Sequence, residues 1–145
     1  MSKPLVTFPD PEAAVVNRLK AALLPRAETY KPATVTTTFP PNPLTKTPLK
    51  THVQVEMEAG DATDYPVTER AQVRVTCWAP NGERAAVKNL ASLAQGLLYT
   101  HPGDDAVAGV EILIGRSDVI TDTDTGYLMC WFLARVNLKA TLLAS

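Results

Sequence analysis

The chain has 145 residues, a mass of 15.6 kDa and 46% apolar side chains, which points to one folded domain over 1–145 with a core of its own. Fourteen Lys/Arg against fifteen Asp/Glu leave a net charge of −1, which argues against a protein held to nucleic acid by bulk positive charge. Two cysteines are too few for a disulfide scaffold, seven glycines argue against glycine-rich phosphate loops, and no apolar run approaches the roughly 18 residues of a membrane-spanning helix.

The first residues, MSKPLVTFPDPEAA, contain no apolar stretch of the kind a secretion signal needs, and none is expected. Asp10, Pro11 and Glu12 then predict a helix start: a capping carboxylate, a proline suited to the first turn, and an acid at the positive end of the dipole. Val15, Val16, Leu19, Ala22 and Leu23 recur at helical steps and predict a core-facing stripe, which Pro25 ends. Nine of the 12 prolines fall in residues 1–50, so residues 26–51 read as a stiff, proline-rich arm. Val35, in the threonine run 34–38, favours strand there. Stiff prolines lower the entropy lost when a loop docks, so a docking role is expected for the arm.

Residues 51–58 alternate, with Val53, Val55 and Met57 on one side and His52, Gln54, Glu56 and Glu58 on the other. His52 is therefore expected to face solvent. Residues 69–79 alternate in the same way, and the acidic, turn-rich link from Gly60 to Pro66 predicts an antiparallel hairpin. Pro80, Asn81 and Gly82 open a second predicted helix with Ala86, Leu90, Leu93, Ala94 and Leu97 as its stripe, ending before Pro102. Strands over about 108–115 and 126–138 finish the chain. The order predicts an α+β fold: a mostly antiparallel sheet of four to five strands with two main helices packed on one face.

Little catalytic chemistry is visible. Cys77 and Cys130 share parity with core positions and read as buried thiols that do not form a disulfide in a reducing cytoplasm. His101, at a helix end, suits the dipole there. Asp122, Asp124 and Gly126 in DTDTG echo a calcium loop, but position twelve from Asp122 is Leu133 where such a loop needs Glu, so a tight acidic turn is expected instead. No nucleophile elbow, Walker motif or dinucleotide fingerprint is present, so no enzyme activity, metal or cofactor is expected.

The last strand is apolar on both faces over 127–134, with Tyr127, Met129, Trp131 and Leu133 on one and Leu128, Cys130, Phe132 and Ala134 on the other. A sheet with helices on one side ordinarily leaves its other face polar. Something must cover this second face: another element of the chain, the arm, or a partner, with Trp78 and Trp131 as candidate anchors.

Three segments together resemble a known family. These are DPEAAVVNRLKAALLP, then RAQVRVTCWAPNGERAAVKNLASLAQGLL, and the closing SDVITDTDTGYLMCWFLARVNLKAT with its acidic Thr-Gly turn before a long alternating strand. In order and spacing, over nearly the whole chain, they are similar to tail terminator (tail-completion) proteins of long-tailed, siphovirus-type bacteriophages, particularly those of actinobacteria. One departure is the apolar Leu128, Met129 and Cys130, where relatives often carry a basic or polar residue.

The resemblance implies a structural virion protein, assembled in the host cytoplasm. Six copies form a ring at the head-proximal end of the tail tube, stop its polymerisation and offer a surface for head joining. Its implied partners are other copies of itself, the major tail tube protein and a head-completion or connector protein. DNA passes through the lumen without sequence-specific contact, and no membrane is involved. Residues 1–50 carry a surplus of +4 and residues 51–145 of −5, which suits complementary surfaces on neighbouring subunits. From charge and loop position, Lys46, Lys50, Asp61, Asp64, Tyr65, Glu69 and Arg70 are the expected contact residues. The rival readings are a head-completion or neck connector protein and a small-ligand binding module using the apolar surface near Trp131.

Overall fold

The computed structural model describes residues 5–40, 43–60 and 68–143. In chain order its elements are β1 (Val6–Thr7), α1 (Pro11–Leu23), β2 (Thr34–Thr36), β3 (His52–Gly60), β4 (Thr68–Ala79), α2 (Arg84–Tyr99), β5 (Val107–Ile114), β6 (Ile120–Thr121), β7 (Leu128–Lys139) and β8 (Thr141–Leu142). The α+β class holds. The main sheet has six strands, not four to five: β2-β3-β4-β7-β5, with β6 on β7 beside β5. All its pairings are antiparallel except β2 with β3. The extra member is β6, two residues whose pairing is made by the turn that follows, so hydropathy leaves no trace of it. A separate two-stranded ribbon, β1 with β8, joins the two ends of the described chain, where Leu143 N donates to Leu5 O.

Local chemistry explains the helices. Asp10 caps α1, its carboxylate accepting from Glu12 N at 2.9 Å, and Pro11 occupies the first turn. Val15, Val16, Leu19 and Leu23 are buried, as the periodicity predicts. In α2 the buried set is Ala86, Val87, Leu90, Ala91, Ala94 and Leu98, while Leu93 and Leu97 sit half-buried at its rim. The buried face thus keeps Ala86, Leu90 and Ala94 of the expected stripe and turns from Leu93 and Leu97 toward Val87, Ala91 and Leu98. It packs against α1 as well as the sheet, and Arg18 of α1 donates to Leu97 O at 3.2 Å. Alanines at the contact let helix and sheet approach closely.

Both helices cover one face of the sheet. That face is built from Val53 and Val55 of β3, alternate residues Ala71 to Ala79 of β4, and Leu128 to Leu138 of β7. The long antiparallel pair at its centre runs twelve residues, from Thr68 opposite Lys139 to Ala79 opposite Leu128. Cys77 lies opposite Cys130 on it; both are free thiols, and burial pushes both up from the ordinary thiol range.

Candidate functional site: the open face of the sheet

The opposite face carries the other residue of each pair: His52, Gln54 and Glu56 on β3, Arg74, Thr76 and Trp78 on β4, Met129, Trp131 and Arg135 on β7. No helix of the described residues covers it. Its aromatic surface is instead shielded locally. The Arg74 guanidinium lies 4.3 Å from the centroid of the Trp131 ring and is ion-paired with Glu58. Trp78 donates its indole N–H to Gln54 Oε1 at 3.0 Å. Phe39, from the proline-rich arm, meets Trp78 edge-on at 6.1 Å.

The arm is tied down at several points. Leu44 N donates to the Tyr127 hydroxyl at 3.0 Å, and Thr51 Oγ1 donates to Tyr30 O at 3.0 Å. His52 corrects the sequence reading, because the threonine run folds over it. The start of β3 is closed on that side, and the residue is only 1% exposed. Nε2 lies 3.0 Å from Thr38 O, which can only accept, so Nε2 carries the proton and Nδ1 accepts from the Thr34 hydroxyl. Burial pushes the His52 pKa down, so this neutral form persists. His101 is corrected in the same sense. Its side chain is buried, Nδ1 accepts from Gly103 N at 2.8 Å, and burial lowers its pKa, so it is a loop-forming acceptor and not a dipole-bound cation.

The turn before β7 is the tight acidic one expected. Asp122 Oδ2 accepts from Thr125 N at 3.0 Å and from its hydroxyl at 2.6 Å, and Gly126 takes a positive φ of 76°. Among the described residues no cluster of three or more His, Cys, Asp or Glu is placed to hold a metal ion. None of the described helices is long and apolar enough to cross a membrane.

Of the expected contact residues, Lys46 and Lys50 stand exposed on one turn of the arm, closed by Lys50 N donating to Thr45 O. Glu69 and Arg70 open β4, pairing with Leu138 and Asn137 and pointing to opposite faces. Asp61, Asp64 and Tyr65 lie outside the described residues. Trp78 is 4% exposed beneath Phe39, whereas Trp131 is half-buried and reaches the surface, so the two tryptophans are not equivalent. Sequence reading missed Phe39, Glu56 and Asp124. Two shallow grooves of about 320 and 280 Å³ meet at Phe39, Trp78 and Asp122. The first is lined also by Glu56, Arg74 and Trp131, the second by Asp124. An aromatic in a proline-rich arm was the available signal for Phe39; nothing in the sequence pairs it with Trp78.

No protein-family model matches the chain, and no curated protein matches it in sequence. Among solved structures it is similar to a chain of the virion of a native gene transfer agent (GTA) particle, with a TM-score of 0.62 and 18% identity. The likeness spans 89% of this chain and 94% of that one. At that identity the likeness is one of fold, and it takes in nearly all of both chains.

Proposed function

We propose that this chain is a structural virion protein of the tail-terminator kind. It forms a homo-hexameric ring at the head-proximal end of a phage tail tube, stops the tube growing and presents a surface for head joining. The observation that carries this reading is the whole-length fold likeness to a chain from a virion particle. It agrees with the order of the three sequence segments that resemble tail terminators. The mechanism needs no catalytic group: one rim matches the last ring of tube protein, and the other offers a chemically different surface to the connector. DNA passes through the lumen, where a near-neutral protein does not grip it.

The open face supports an assembly role. It holds a half-buried tryptophan and charged groups on the sheet beside the exposed Phe39 of the arm, a composition typical of protein contacts. Mixing the purified protein with isolated tail tubes tests the reading by electron microscopy. A ring on one tube end only is expected. Binding to DNA-filled heads and not to tubes would instead make it a head-completion protein. Failure to bind either, with tryptophan fluorescence that responds to a small metabolite, would support a ligand-binding module.

A further inference from the structure

The open-face groove is acidic for its size. Glu56, Asp122 and Asp124 line it against one guanidinium, Arg74, which is already engaged by Glu58 and by the Trp131 ring. Asp124 and Glu56 are exposed. Phe39 stands 74% exposed at its margin, beside the buried Trp78. An aromatic wall with surplus carboxylates is chemistry suited to a cationic side chain.

A second surface of the molecule supplies the complement. One flank of α2, beside the link after β5, carries Arg84 and Lys88, and Arg116 of that link is fastened against it. Its backbone N–H is held by Gln95 Oε1 at 2.8 Å and its guanidinium by Lys88 O at 3.0 Å. The acid there is Asp118, which pairs with Arg84 at 2.9 Å. Lys88 and Arg116 are exposed, and Ala85, Ser92 and Gly96 are small exposed residues of α2 that permit close approach.

We propose that the open-face groove of one copy receives the basic flank of α2 and the link after β5 of a second copy, with Lys88 and Arg116 meeting Glu56 and Asp124. The two surfaces are different patches of the subunit, one on the open face of the sheet and one on a flank of α2 and the link after β5. Their contact is therefore head-to-tail, the kind that propagates around a ring. The inference deepens the ring reading and rests on it for closure.

The test is a charge swap, scored as capped tube ends by electron microscopy and as assembly by native mass spectrometry at low salt. All four substitutions are at exposed positions, and circular dichroism checks that each variant is folded. Lys88→Glu with Arg116→Glu in one chain, or Glu56→Lys with Asp124→Lys in another, is expected to weaken assembly on the order of tenfold or more. An equal mixture of the two variants is expected to recover heteromeric pairs, which a lesion in tube contact would not. Wild-type rings with variants that assemble equally well overturn the contact and leave the ring reading standing. Loss without recovery in the mixture also overturns the contact. No wild-type ring on tube ends, with a monomer at every concentration, overturns both.

Discussion

The two faces of the sheet share every strand and obey different rules. Phe132 and Trp131 are neighbours on β7. Phe132 is fully buried under the helices among Val, Leu and Ala, while Trp131 faces outward and is covered by one guanidinium. On the helix face, apolar area removed from water does the stabilising, and side-chain volume sets the fit. On the open face each aromatic is given a polar partner: Arg74 for Trp131, Gln54 for Trp78. Such a face covers its aromatics without a helix. The last strand is apolar on both sides because one side enters the helix-covered core and the other packs Trp131 beneath Arg74.

The sharpest way to break this contrast is Phe132→Ala, expected to cost about 3–5 kcal/mol through the cavity it leaves, read by denaturant unfolding. Trp131→Ala, one residue away, is expected to cost about 1–2 kcal/mol, since it loses a cation–π contact and partial burial only. If both cost the same, the open face is as structural as the core. Asp10→Ala, remote from both faces, is expected to cost about 1 kcal/mol by removing the cap of α1, which calibrates the scale.

The pH response sharpens the comparison at the arm. His52 and His101 are held neutral with pKa values below the ordinary histidine value, so the unfolded chain binds more protons than the folded one in mild acid. Stability is therefore full above about pH 6.5 and falls as pH drops below it towards the depressed folded values. Thermal unfolding between pH 5 and 8 reads the slope, and His52→Gln is expected to flatten it.

The smallest stability effect is expected in the link between β3 and β4. Reversing Asp61 and Asp64 together is expected to change stability by no more than about 0.5 kcal/mol; on the proposed tail-terminator reading it is expected to alter tail length or head joining in phage carrying the change. Normal tails and normal joining would remove both residues from the contact set.

Much of the fold was legible because its signals are local. Asp10-Pro11 and Pro25 bracket α1, and strict alternation marks β3, β4, β5 and β7 to within a few residues. The sites were less legible because burial on the open face is not periodic in origin. His52 and Gln54 have the parity of solvent residues and are buried all the same, since the arm and Trp78 close over them. The stripe of α2 was displaced because the helix packs in the angle between α1 and the sheet, a geometry no helical wheel contains.

Composition, charge and periodicity by themselves determined an α+β chain with two amphipathic helices and four main strands, one of them apolar on both faces. Those features follow from neighbours in sequence, where chain geometry dictates which side chains share a side. Only the tertiary structure decided which residues cover which aromatic. Arg74 lies 57 positions from Trp131 and Phe39 lies 39 from Trp78, and such pairs are made by strand order and by the path of the arm. The proline-rich segment that composition marked as stiff therefore has a definite place: across the end of the open face, with Phe39 beside Trp78.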